Sequence, residues 1–478
     1  MKDNRFYSLD ALRGVAILLM IFSGTIPFGG TLPAWMYHAQ VPPPDHKFVP
    51  TLPGITWVDL VFPFFLFSMG AAFPFAYLKR LQSGISKPKI AGQILFRGFL
   101  LAFFAIVLQH FKPYAMNPSP TSYEWSIGLL GFVLMFFFFL KYPDKINLKI
   151  SIAAKFLALA LIVFILSFLQ YKKGDSTEGF NLFRSDIIIL VLANVAVSGG
   201  IIWLLTKDNI LPRLAVLAFL LACRLTYNLP DSPASYLWNF NSIFGFKINW
   251  LYQFYFHQYL FIVIPGSIIG DLSYKYLYLF NRDIKFENKL EKNRLILFAF
   301  FSFAIIVLNV ILLFSRALYI NLFLSVLTII ILRILLVKYY SDISKFLKTF
   351  LNWGTFWLML GLFFEAYEGG IKKDKSTLSY YFVTSGLAIF CLNFLIITID
   401  IFKKRFGFKT IILSGQNPMI AYVGVSHLIQ PIIGITGLSF IYEYTKTAFL
   451  GVVRGAMITW LDALIASTLS KFKIFWRT

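Results

Sequence analysis

A chain of 478 residues that is 58% hydrophobic, 19% aromatic and only 14% charged, with a mean hydropathy of +0.72, is not a string of soluble domains, although its length alone would suit about three of them. Its formal net charge of +22 would fit a nucleic-acid binder, but the positive residues concentrate in alternate loops between apolar runs, and that pattern excludes the reading. The two cysteines, Cys223 and Cys391, both lie inside apolar runs, which excludes a disulfide framework and a CxxC metal site.

Crossing a hydrocarbon core of about 30 Å takes about 20 mostly apolar residues, and such runs recur from end to end. In chain order the spans fall near 9–27, 55–78, 91–111, 125–140, 150–169, 186–206, 211–227, 250–274, 295–315, 320–337, 350–367, 380–402, 411–432 and 447–468. The pairs 186–206/211–227 and 295–315/320–337 are tight hairpins, so the count is 12–14. No polar stretch is long enough for a separate soluble domain. The expected fold is therefore all-α, a polytopic helical membrane protein forming a single transmembrane domain over 1–478. With the N-terminus cytoplasmic, cytoplasmic loops and tails carry 27 Lys and Arg (counting Arg213 at a span edge) against 11 in exterior loops. That asymmetry places both termini in the cytoplasm. The first span is read as a retained helix, because Asp10 and Arg13 interrupt it and no A-x-A site follows.

The first span opens on RFYSLDALRG, where Ser8 or Asp10 reads as an N-cap and Arg13 sits one turn inside. Pro27 and the Gly29–Gly30 pair end it. The exterior loop 28–54 is rich in proline; Pro42, Pro43 and Pro44 are expected to form a short, stiff polyproline rod that holds His38 and His46. Asp59, in GITWVDLVFP, follows about one turn into the second span, where it can orient a histidine or simply favour the helix N-terminus. The segment 275–294 reads as a solvated, charged connector.

Sorting ionisable groups by depth gives a division. All five histidines (His38, His46, His110, His257, His427) fall in the exterior half, while Arg13, Arg97 and Arg333 fall in the cytoplasmic half. Histidine transfers protons near neutral pH and arginine clamps phosphates. The pattern points to a polyphosphate ligand entering from the cytoplasm and acid–base chemistry at the outer face. The plainer readings are interfacial hydrogen bonding for His110, His257 and His427, snorkelling for Arg97 and Arg333, and a structural ion pair for Asp10 with Arg13. Glu365 and Glu368, at the outer end of the eleventh span, are a weaker version of Asp59. No GxSxG, Walker, GxGxxG, HExxH or zinc-spaced motif is present, and no metal is expected.

Four blocks then stand in order: SLDALRG, His38-Ala39 followed by GITWVDLVFPFFLFSMG, GIKKDKSTLSYYFVTSGLA at 370–388, and GQNPMIAYV at 415–423, with a weaker IPGSIIGD at 264–271. Together they resemble the heparan-alpha-glucosaminide N-acetyltransferase family of transmembrane acetyltransferases and its bacterial relatives. The resemblance implies a multi-pass enzyme of the bacterial inner membrane. It would take acetyl-CoA from the cytoplasm and acetylate the amine of an amino sugar or glycan outside. It also implies an active histidine in the loop before the DLVFP helix. His38 matches the family's His-Ala pair and is preferred; but 20 residues separate it from Asp59, a longer spacing than the family's, and by spacing His46 is the nearer candidate. The implied roles are His38 or His46 as base or acetylated nucleophile, Asp59 as its orienting group, Arg13, Asp10 and Arg97 at the acetyl-CoA phosphates, and Asn417 bonding cofactor or sugar. The expected partners are the acceptor sugar, the lipid bilayer and, optionally, a second copy of the chain as a homodimer; nucleic acid is not one. Because some bacterial relatives are linked to amino-sugar uptake, a transporter of N-acetylglucosamine or N-acetylmuramic acid type is the alternative.

Overall fold

The computed structural model describes residues 5–29, 32–143, 145–280, 289–336 and 342–478. Gly30 and the middle of the 275–294 connector lie outside these. Among the described residues, eleven helices are long and apolar enough to cross a membrane. In chain order the helices are α1 (Tyr7–Thr25), α2 (Trp57–Gln82), α3 (Lys87–His110), α4 (Ser122–Phe139), α5 (Leu148–Phe168), α6 (Ile187–Thr206), α7 (Leu211–Thr226), α8 (Leu260–Lys275), α9 (Lys289–Phe314), α10 (Leu318–Leu336), α11 (Asp342–Phe363), α12 (Leu378–Ile401), α13 (Pro418–Ile435) and α14 (Ala448–Lys471).

The eleven exclude α7, α8 and α11, which occupy three further places where spans were expected. Two of them run for only 16 residues, and α11 is diluted by Lys345, Lys348 and Asn352. The chain is a multi-pass helical membrane protein. Short two-stranded hairpins decorate two loops, at Tyr171–Lys173 with Ser176–Glu178 and at Ser242–Ile243 with Phe246–Lys247.

The helices cluster into two compact units, residues 1–84 with 259–415 and residues 85–258 with 416–478. In the first unit, α2 and α12 are the inner helices: 83% and 89% of their apolar windows are buried, against 22% for α10. The outward faces of α9 and α10 carry exposed Phe300, Phe303, Ile320 and Phe323, as expected where the solvent is lipid.

Small residues set how closely these inner helices approach. Gly266 and Gly270 of α8, a G-x-x-x-G pair, lie on the backbone of α2: a methyl at Gly266 would come within 2.3 Å of the Phe67 carbonyl oxygen, and one at Gly270 within 2.4 Å of that of Ala71. Gly70 of α2 meets the Val263 carbonyl in return. Lipid tails are as apolar as leucine side chains, so association in a membrane relies on this close packing rather than on hydrophobic burial.

The ring contacts fix direction. Phe6 stacks on Phe75 and Phe22 on Trp57, both at 5.8 Å, so α1 and α2 are antiparallel. Tyr259 meets Phe62 at 5.5 Å and Tyr274 meets Phe75 at 5.5 Å, so α2 and α8 run parallel. Hence the end of α1 and the starts of α2, α8 and α12 gather at one end of this unit, and the start of α1 with the end of α12 at the other.

In the second unit, α3 packs closely on α6, with Gly98 against Val197. The C-terminal tail lies on α3 and α4 through Trp476, whose ring centroid is 6.4 Å from Phe104 and 5.6 Å from Phe132.

Candidate active site

Thr56 caps α2. Its hydroxyl oxygen accepts from the Val58 N–H at 3.2 Å, and the Asp59 carboxylate reaches back to the Thr56 N–H at 2.9 Å. This capping box satisfies amides that a helix start leaves without partners. It uses mainly Asp59 Oδ2, which also accepts from the Ala39 N–H at 3.2 Å. The other oxygen, Oδ1, lies 2.7 Å from His38 Nδ1. Asp59 is therefore both a cap and the holder of an imidazole. Its side chain is only 2% exposed while that of His38 is 36% exposed: a buried anchor presents a ring to the outside.

A carboxylate only accepts, so His38 Nδ1 carries a proton, and in the neutral ring Nε2 keeps the lone pair. Lys373 Nζ lies 3.2 Å from Nε2 and 3.3 Å from Nδ1. With Nδ1 committed to Asp59, Nε2 is the partner to which the ammonium can donate. The lysine comes from a loop held on several sides. Gln40, buried next to the His-Ala pair, donates to the Asp374 carbonyl and accepts from its N–H at 2.8 Å. Glu365 accepts from the Ile371 N–H at 3.0 Å and pairs with Arg316; Glu368 accepts from the Leu378 N–H at 2.6 Å. Tyr380 of α12 donates to the Asp59 carbonyl at 2.8 Å, locking α12 to the start of α2.

From 32 to 54 the loop is a set of turns rather than a rod. The His46 N–H donates to the Pro42 carbonyl at 3.1 Å, closing a turn over the three prolines. His46 itself takes a positive φ of 50°. Its ring packs edge-on against Tyr37 at 4.4 Å and Phe28 at 5.1 Å, whereas His38 is the histidine on Asp59.

The other end of the same unit gathers charge differently. Phe6, not Ser8 or Asp10, is the N-cap of α1, because the helix already starts at Tyr7. Ser8 instead bonds the buried Asp400 carboxylate at the end of α12, through its hydroxyl at 2.5 Å and its N–H at 3.1 Å. Asp10 takes Arg5 at 2.7 Å and Arg13 at 3.4 Å, and Arg13 also donates to the Gly415 carbonyl at 3.2 Å. Arg405 lies over the Tyr7 ring at 4.1 Å, and Lys403 and Lys404 are exposed beside it in sequence.

Arg97 and Asn417 belong to the second unit. Arg97 is exposed on α3 among exposed Leu95, Phe96 and Phe99, the setting of a snorkelling side chain. Asn417 is fully buried and its amide serves the C-terminal tail, donating to the Ile474 carbonyl at 2.9 Å and accepting from the Trp476 N–H at 3.2 Å. Three other histidines bond backbone carbonyls: His110 to Ile106, His257 to Phe254 and His427 to Leu108, at 2.8, 3.0 and 2.9 Å.

Sequence reasoning passed over Lys373 and Gln40. The signal for Lys373 was the cationic run KKDK inside an exterior loop, but nothing local says which of its lysines turns inward. Among the described residues, no group of three or more His, Cys, Asp or Glu is placed to hold a metal ion.

The family described as a domain of unknown function (DUF5009) matches residues 5–273. The chain is 30% identical over 161 residues to the heparan-alpha-glucosaminide N-acetyltransferase of Mus musculus, covering 31% of this chain and 22% of that protein. It is 35% identical over 114 residues to the Homo sapiens protein of the same name, covering 24% and 15%. The chain thus spans under a quarter of the length of these curated relatives.

Proposed function

The chain belongs to the family described as a domain of unknown function (DUF5009), and we propose that it is a transmembrane acetyltransferase, moving an acetyl group from acetyl-CoA to the amine of an amino sugar or glycan. The observation that carries this reading is the half-exposed His38 ring, bonded at Nδ1 to buried Asp59 and faced by Lys373. The similarity to two N-acetyltransferases supports the reaction class, and the concentration of Lys and Arg in alternate loops supports a cytoplasmic N-terminus. The membrane would be the inner membrane of a bacterium.

The chemistry follows from the atoms. An amine must lose a proton to leave a neutral amide, and His38 Nε2 is the lone pair that can take it. The amine nitrogen bonds to the thioester carbonyl carbon, the C–S bond breaks, and coenzyme A leaves as a thiolate that takes up a proton. Asp59 holds the ring in the tautomer this needs, and Lys373 offers a positive charge to the oxygen that turns anionic as the tetrahedral intermediate forms. The same Nε2 can instead attack the carbonyl first, giving an acetyl-imidazole that the amine then resolves. Acetyl-CoA is the donor substrate here. Its phosphates suit the basic rim of Arg5, Arg13, Lys403, Lys404 and Arg405 at the far end of the same unit, where charge and hydrogen-bond donors concentrate. The acetyl thioester would extend along α1 toward His38.

The test is to incubate the purified full chain with acetyl-CoA and glucosamine and follow release of the coenzyme A thiol. Turnover that vanishes in His38→Ala and persists in His46→Ala supports the assignment. Absence of turnover, with uptake of unmodified sugar into proteoliposomes, would overturn it in favour of transport. Brief acid quenching with acetyl-labelled donor distinguishes the two chemical routes, since only the relay leaves label on the protein.

A further inference from the structure

The second unit contains an open cavity of about 560 Å³ at the junction of the loop before α4, the end of α13 and the segment after it. Its lining combines three aromatic rings, Tyr114, Trp125 and Tyr442, with the Gln430 amide and several hydroxyls, Ser119 and Ser439 among them; among the described residues no charged side chain lines it. We infer that this cavity is a carbohydrate-binding site that takes a neutral pyranose unit.

Three observations carry the inference. The first is the chemistry of the wall. A pyranose has one face of C–H groups that packs on an aromatic ring, and an equator of hydroxyls that both donate and accept. Serine hydroxyls and a glutamine amide also both donate and accept. A phosphate or ammonium ligand would require an opposite charge on the wall, and none lines the cavity.

The second observation is that the aromatic platform is built and held. Trp125 and Tyr114 meet edge to face at 5.3 Å and 88°. Gly434 passes beneath the indole so closely that a methyl there would come within 2.5 Å of its Nε1. The Arg454 guanidinium lies 4.6 Å from the centre of the Tyr442 ring and donates to the Thr445 hydroxyl at 2.7 Å. Arg454 thus holds the ring and is not among the residues that line the cavity.

Third, the polar side of the wall is preformed. Glu124 is buried and accepts from the Thr121 N–H at 2.7 Å, the Thr121 hydroxyl at 2.6 Å and the Asn117 amide at 3.1 Å, while Asn117 accepts from the Ser119 N–H at 3.1 Å. This network holds the turn of residues 117–124 that carries Ser119 and Ser122. Ligand sites are typically formed in advance, with aromatic walls and a few placed polar groups. Tyrosine and tryptophan near a membrane surface also occur as plain interfacial anchors, but an anchor needs neither a cavity nor a fixed polar wall opposite the rings.

This inference does not rest on the acetyltransfer reading, and its test uses no acetyl donor. The full chain, in nanodiscs free of sugar detergents, is titrated by calorimetry with a β-linked N-acetylglucosamine disaccharide, and separately assembled in nanodiscs with a glucosyl lipid whose contact is read by saturation-transfer NMR. Saturable binding in either arm is expected, and the arm that responds identifies the source as free or lipid-borne sugar. Trp125→Ala should weaken it at least tenfold. Ser439→Trp, on an exposed loop, should fill the cavity and block binding without touching the packed helices, while His38→Ala should leave it within twofold. No binding in either arm, or binding that is unchanged in Ser439→Trp and lost in His38→Ala, would overturn the inference.

Discussion

The two ends of the first unit both bury a carboxylate beside a helix terminus, yet they arrange it to opposite effect. At the His38 end, Asp59 spends one oxygen mainly on the start of α2 and the other on an imidazole that faces outward. At the far end, Asp400 of α12 is turned onto Ser8 of α1, joining the two helices, while Asp10 takes Arg5 and Arg13 from its own segment. The first carboxylate leaves its partner ring half-exposed, whereas the partners of the others are a helix N–H, a hydroxyl and arginines of the bundle itself.

Substitutions can break this contrast. The largest effect is expected at Asp59: Asp59→Asn keeps the shape but lets the ring take the wrong tautomer, and acetyl transfer should fall about a thousandfold to ten-thousandfold by analogy with other His–Asp pairs. The same variant should lose about 1 kcal/mol of stability with the capping box, read as a lower melting midpoint. If kcat is unchanged, the imidazole is not the working base. Next, Lys373→Ala should lower kcat about a hundredfold, the scale of losing one oxyanion donor, while Lys375→Ala, two positions along the same loop, stays near wild type. Equal losses in both would reduce the lysines to a general positive field.

At the far end the prediction changes in kind. Lys404→Ala should leave kcat alone and raise the KM for acetyl-CoA about twofold to fivefold, as for an exposed charge contact worth under about 1 kcal/mol. Ser8→Ala should lower stability by about 1–2 kcal/mol, because it removes a hydrogen bond from a buried carboxylate, without changing either kinetic constant. A large fall in kcat from either variant would erase the difference between the ends. The smallest effect belongs to His46→Phe, whose ring keeps the packing against Tyr37 and Phe28; turnover within twofold of wild type is expected.

Some of the site was legible from residue order. His38 and Asp59 flank one loop, and an acid one turn into a helix beside a histidine-bearing segment is a local signal. The resemblance already preferred His38 over His46, but spacing pointed the other way: 20 residues intervene between His38 and Asp59, and only the turns of the loop decide which ring returns to the carboxylate. Lys373 was beyond reach, since it meets His38 across 335 positions of sequence. Asn417 shows the converse, a buried amide at the start of an apolar helix whose partners are the backbone of the C-terminal tail.

By itself, the sequence determined that this is a multi-pass helical membrane protein and where its helices run. Hydrophobicity and length act on each segment separately, through the cost of leaving backbone groups bare in lipid. Only the tertiary structure decided what the ionisable groups do. Their roles depend on which oxygen meets which nitrogen, and that follows from glycine-mediated helix contacts and loop turns joining residues hundreds of positions apart. Beyond one end of α1 the fold brings His38 onto Asp59, and at the other it brings Ser8 onto Asp400.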